Sequence, residues 1–199
     1  MNPTSSSVLT ALQQGAVGTS GNTLDYSYYD TLVLDHTKSS YSMFQVPVGQ
    51  AGKTLADTNM VSAGQVPQGE RLTVGALKLI YEQNSGSVFN EAYASAFFDF
   101  LMNSTFEFFI QTQDYGKWTL AELMGAPMLA ILSPATAGNN DAIFSVGKYV
   151  GIYPLNIAIP LPALANFQIK ITPQIATAGA IDVSKLRVSL PGILERASA

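Results

Sequence analysis

The sequence predicts an all-β fold: a single eight-stranded jelly-roll β-sandwich with one or two short inserted helices. Three observations predict it. About eight short segments alternate apolar with polar residues or form brief apolar runs, and turn chemistry separates them. Helical spacing is confined to two segments, and no strand–helix–strand alternation runs through the chain, which removes parallel α/β folds. No self-similarity recurs at a period of about 20 to 50 residues, which removes propellers and solenoids. Eight strands in two sheets is the jelly-roll number, and a helix inserted after the third strand is compatible with that topology.

Residues 1–24 are rich in Ser, Thr and Gly, with Val8, Leu9, Leu12 and Ala16 near helical spacing. They read as a flexible N-terminal arm, which leaves residues 25–199 as the jelly-roll domain. Tyr26, Tyr28, Leu32 and Leu34 mark a first strand, and Tyr41 to Val46 a second after a polar turn. Residues 47–70 hold Pro47, Gly49, Gly52, Gly64, Pro67 and Gly69 without periodicity, a long ordered loop. Between Arg71 and Glu82 the apolar phase slips from Leu72, Val74 and Ala76 to Leu77, Leu79 and Tyr81, which predicts one bent strand bulged near Gly75. Phe89, Ala92, Tyr93, Ala96, Phe97, Phe100 and Leu101 follow helical spacing, with Ser87 or Asn90 able to cap and Glu91 at the positive end of the dipole.

Phe106, Phe108 and Ile110 alternate with Glu107 and Gln111, a further strand. Thr119-Leu-Ala-Glu122 has capping-box spacing and predicts a helix of about one turn, closed by Gly125 and stopped by Pro127. Strands are expected at Met128–Leu132 and along Phe144, Val146, Val150 and Ile152. The last two are cleaner: Phe167, Ile169 and Ile171 oppose Gln168, Lys170 and Thr172, and Leu186, Val188 and Leu190 oppose Lys185, Arg187 and Ser189.

Charged residues make up only 12% of the 199 residues, against about 25% in an average soluble domain, so much of the exterior is neutral. There are 10 Lys and Arg against 14 Asp and Glu, and the first basic residue is Lys38. No basic arm exists to neutralise phosphates, so direct sequence-specific nucleic-acid binding is not expected. The absence of Cys removes thiolate catalysis, Cys-based zinc sites and iron–sulfur clusters. Neither a signal peptide nor an apolar run long enough to span a membrane is read from the chain.

Candidate chemistry has a plainer account at each position. His36 sits in a polar turn; no Gly-x-Ser-x-Gly elbow accompanies it, and one His cannot build a cupin-type metal site. Glu91, Asp99, Glu107, Asp114 and Glu122 fall close together in sequence with Tyr115 and Trp118, a composition compatible with a sugar-cleaving cleft. A helix start for Glu91, the polar helix face for Asp99, an outward strand face for Glu107, a turn for Asp114 and a capping box for Glu122 account for the same carboxylates. Gly52-Lys53-Thr54 imitates the end of a phosphate-binding loop, but Pro47 stands where its leading glycine belongs. Asn103-Ser104-Thr105 fits the glycosylation sequon and reads as coincidental. No catalytic residue, cofactor or metal is expected.

Aromatic residues fall on both faces of single elements, as with Phe97 beside Phe98 and Phe108 beside Phe109. One core uses one face. The second face meets either another subunit or a covering helix of the same monomer, and the two readings stand level.

Lys53-Thr-Leu-Ala-Asp-Thr-Asn-Met-Val-Ser-Ala-Gly-Gln-Val-Pro-Gln-Gly-Glu-Arg-Leu-Thr-Val74 resembles structural proteins of tailless icosahedral bacteriophages, chiefly through Thr58-Asn59-Met60, Gly64 and Pro67 leading into a strand. Ile157-Ala-Ile-Pro-Leu-Pro-Ala-Leu-Ala-Asn166 leading into Phe167-Gln-Ile-Lys-Ile171 is similar in style. The resemblance implies a jelly-roll capsid protein of a virion, its strands roughly upright in a shell that often encloses a lipid membrane. The chain is too short for two fused rolls, so a single-roll subunit is implied.

The expected function is a capsid subunit that self-assembles into an icosahedral shell. Its partners would be copies of itself in a homo-oligomer such as a trimer, other capsid proteins, and an internal lipid membrane reached by the N-terminal arm. Candidate inter-subunit contacts are Tyr29, Thr58, Asn59, Met60, Phe98 and Phe109. A carbohydrate- or receptor-binding β-sandwich of the spike or attachment kind is the alternative, with Tyr115 and Trp118 as an aromatic platform. A hydrolase using two of the carboxylates is a third reading.

Overall fold

The computed structural model describes residues 22–83, 91–124, 148–176 and 179–196. Two four-stranded antiparallel sheets pack on each other. The strands are β1 (Asn22–Val33), β2 (Tyr41–Met43), β3 (Glu70–Glu82), β4 (Ser104–Ile110), β5 (Gln113–Thr119), β6 (Lys148–Leu161), β7 (Phe167–Pro173) and β8 (Lys185–Arg196). Helix α1 (Glu91–Met102) connects β3 to β4, and α2 (Leu120–Met124) follows β5. One sheet runs β1-β8-β3-β6 and the other β2-β7-β4-β5.

Alternation builds the core between the sheets. Phe106, Phe108 and Ile110 of β4 and Phe167, Ile169 and Ile171 of β7 point inward from one sheet. Leu72, Val74, Leu77, Leu79 and Tyr81 of β3 and Leu186, Val188 and Leu190 of β8 meet them from the other. The phase slip in β3 is a bulge, since pairing with β6 shifts between Val74 and Ala76. Ser189, expected outward on β8, is buried.

Four features differ from expectation in ways that have local causes. Strand β1 begins at Asn22, so residues 22–24 are strand rather than arm; residues 1–21 lie outside the described residues. Strand β2 stops at Met43 because Phe44 takes a φ of 67° and turns its N–H onto Asp30 Oδ2 at 2.6 Å, leading the chain out of the sheet. Residues 113–119, expected as a turn and loop, form edge strand β5, whose mostly exposed residues leave no alternation to read. Strand β6 continues through Pro154 and Pro160 to Leu161, which an edge strand tolerates. The expected strand Met128–Leu132, the positions Phe144 and Val146, and the capping residues Ser87 and Asn90 all lie outside the described residues.

Helix α1 buries Tyr93, Ala96, Phe97, Phe100 and Leu101 of the stripe read from the sequence, and Phe89 lies outside the described residues. It is anchored to β3 by the Tyr81 ring, whose centroid lies 4.3 Å from that of Phe97, and by a bond between the Tyr81 and Tyr93 hydroxyls. The capping box of α2 forms: Thr119 N–H donates to Glu122 Oε2 at 2.8 Å, and Glu122 N–H donates to Thr119 Oγ1 at 3.2 Å. Thr119→Ala should therefore cost about 1 kcal/mol in a urea melt, and a cost near zero would show that α2 is held by packing alone.

Burial, reinforced by the Glu70 carboxylate, pushes the Tyr28 hydroxyl well above the ordinary tyrosine value of 10.0, and burial does the same to Tyr81. A phenol whose folded pKa is raised stabilises the fold below its unfolded value and loses that contribution as pH rises, because the unfolded chain ionises first. Thermal stability should fall as pH climbs past about 10, and the double substitution Tyr28→Phe with Tyr81→Phe should flatten that fall. An unchanged slope would remove these two phenols as its cause.

Candidate assembly surface

The seam between edge strands β1 and β2 is covered by residues 44–69. Its central tie is Asp30, which shares the inward phase of Tyr28 and is only 1% exposed. The carboxylate accepts Phe44 N–H and pairs with Lys53, whose Nζ also donates to the Thr31 carbonyl at 3.0 Å. Asn59 then lies along β1: its Oδ1 accepts Tyr29 N–H at 2.8 Å and its Nδ2 donates to the Ser27 carbonyl at 2.8 Å. On the outer face, Arg187 of β8 donates to Thr31 Oγ1 at 3.0 Å and to the Ala56 carbonyl, and its guanidinium lies 5.2 Å from the centre of the Tyr29 ring.

The candidate contacts separate accordingly. Thr58 and Met60 are fully buried within the protomer, so the structure corrects both assignments. Thr58 Oγ1 donates to the Tyr29 carbonyl at 3.0 Å, and Met60 fills the core beneath the loop. Asn59 is half-buried with its amide spent on β1, and the Tyr29 hydroxyl donates to the Leu55 carbonyl. These four hold the loop to its own sheet. Phe98 and Phe109 are half-buried, Phe98 packing on Phe97 at 6.3 Å and Phe109 on the outward face of β4 opposite Gln168. The structure does not gather the six into one patch.

The opposite seam, between β5 and β6, closes with Trp118, whose ring lies 6.0 Å from Phe106 and 6.3 Å from Tyr153. The indole also crosses Gly116, where a Cβ would stand 2.1 Å from it. Trp118 is therefore internal packing rather than an open platform, though Tyr115 is exposed. The carboxylates have local partners too: Glu107 pairs with Lys117 at 2.6 Å, Asp114 accepts Gly116 N–H at 2.9 Å, and Glu122 caps α2. Asp99 is exposed on α1.

His36 Nδ1 lies 2.7 Å from Asp182 Oδ2, linking the β1–β2 turn to the approach to β8. With Asp35 these donors fall within 4.8 Å of one another, a set that could ligate an ion, but their exposed atoms are already hydrogen-bonded to one another and to Thr37. Hydrogen bonds from Thr37 hold the Asp35 carboxyl below its ordinary value. A cleft of about 250 Å³ on the outer face is lined by Asp57, Glu82, Lys185 and Arg187, its two acids balanced by two bases. No helix among the described residues is long and apolar enough to cross a membrane.

Sequence reasoning missed two features. Asp30 had a readable signal, a carboxylate on the inward phase of a strand, which requires a cation. The second is the outward side of β6, where Val150, Ile152 and Ile157 are 48%, 63% and 83% exposed. No protein-family model matches the sequence, and no curated protein matches it.

Proposed function

We propose that the chain is a single jelly-roll capsid subunit that self-assembles with copies of itself, and with other capsid proteins, into the icosahedral shell of a virion. The observation that carries this reading is the strand order. β1 pairs with β8, β2 with β7, β3 with β6 and β4 with β5, the pairing produced when one long eight-strand hairpin rolls up. The contacts of β8 with β3 and of β7 with β4 join those pairs into two sheets. Jelly rolls also serve lectins and cupins. Against a cupin stands the single His36, and against an aromatic sugar platform stands the internal packing of Trp118. A sparsely charged exterior suits a surface covered by neighbours.

Sedimentation velocity of the purified full chain tests the reading. Material far larger than the 21.2 kDa protomer, growing with concentration, is expected. A lone protomer or small fixed oligomer at every concentration would contradict it.

A further inference from the structure

The two edges of the β1-β8-β3-β6 sheet are finished differently. Along β1, the Asn59 side chain occupies a donor and an acceptor that an added strand would need. Along β6, Pro154 and Pro160 lack N–H groups, which interrupts the row of donors on that strand. Neither edge is built for strand addition. Yet β6 turns Val150, Ile152 and Ile157 into solvent, and the chain carries no charged residue from Tyr149 to Ile169.

We propose that this uncharged flank of β6 is a contact with a second copy of the chain, made by side-chain packing and not by continuing the sheet. The inference rests on the self-assembly reading above. Pairing places Val150 beside Ile80 and Ile152 beside Lys78 on β3, while Leu155 to Ala158 stand opposite Gly75 alone, with Leu155 buried and Ile157 exposed. Because of that bulge, β6 runs only as far as its partner Leu72 to Glu82 on β3, about 36 Å at about 3.3 Å per residue. A band about 10 Å wide along that length offers roughly 360 Å² per copy, or about 720 Å² in a pair, well below the roughly 1,200 Å² of the smaller specific interfaces. Such a contact is weak alone and sufficient when repeated around a closed shell. An anionic lipid surface is a poorer match, because residues 149–169 contain no Lys or Arg and only Lys78 of β3, beside Ile152, stands near that stretch in the pairing.

The test is Ile152→Asp with Ile157→Asp in the full chain, compared with wild type and with Gln113→Asp on exposed β5, by sedimentation velocity and circular dichroism. The concentration for half-assembly should rise about tenfold or more in the double variant while its melting curve stays near wild type, and Gln113→Asp should assemble normally. If the double variant melts early, Ile157→Asn alone, at the most exposed position, should give the same direction of change. Wild type that assembles beside a double variant that assembles equally well overturns the β6 contact and leaves self-assembly standing. Wild type that stays monomeric overturns both. Monomeric wild type that floats with phosphatidylcholine vesicles, while the double variant does not, overturns the contact in favour of a lipid surface.

Discussion

Lys53→Met should cost the folded domain about 3 to 5 kcal/mol in a urea melt at neutral pH. The Asp30 carboxylate is nearly sealed from solvent, and Lys53 is the cation that faces it. Methionine keeps most of the stem and removes the charge, leaving Asp30 with the Phe44 N–H and no counter-ion. Removing one partner of a buried pair is more costly than the pair is favourable, because the remaining charge has lost both water and its mate. Asp30→Asn combined with Lys53→Met should recover part of the loss, since the orphaned charge is then gone. The consequence is regional as well as global: residues 44–69 lose their central tie, so amide exchange should quicken there first. A cost under about 1 kcal/mol would mean that the pair behaves as an exposed one.

The second large effect is Gly192→Ala. A Cβ on Gly192 would stand 2.0 Å from the Thr73 carbonyl oxygen and 3.0 Å from the Val74 Cα, both backbone atoms of a paired strand. Neither can rotate away, so β8 and β3 must separate where Val74 pairs with Gly192, beside the irregular stretch that follows. A loss of about 4 kcal/mol or more is expected from thermal or urea unfolding. Gly52→Ala is the matched control. At Gly52 a Cβ meets nothing within 4 Å, and only its φ of +76° opposes a side chain, so a cost of about 1 to 2 kcal/mol is expected. Equal costs at the two positions would show that close approach at Gly192 is not what fixes the sheet.

Much of this architecture is legible before any coordinates. Strands such as β7 and β8 announce themselves because one face is buried and the other is not, and the bulge in β3 leaves a phase slip that counting reveals. The capping box of α2 is local in sequence, so four residues suffice to read it. Other features are invisible for physical reasons. β5 is an edge strand with little burial, and Asp114 and Gly116 give it the composition of a turn. Pro154 and Pro160 lack the N–H that a central strand needs, but an edge strand has no second partner to lose. Thr58 and Met60 sit in a long aperiodic loop, which carries no local sign of burial; tertiary ties, from Asp30 to Lys53 and from Thr58 and Asn59 to β1, fold that loop inward. The candidate surface was less legible than the fold, since exposure depends on which edge a neighbouring segment covers, and pairing order is not written in local pattern.

Cryo-electron microscopy of the assembled protein, with the protomer fitted into the density, tests the central claim most directly. The account predicts closed particles in which each subunit's strands run β1-β8-β3-β6 over β2-β7-β4-β5 and the outward side of β6 lies against another copy. Particles whose β6 side faces open solvent would contradict the contact, and a preparation holding nothing larger than a few protomers would contradict the shell itself.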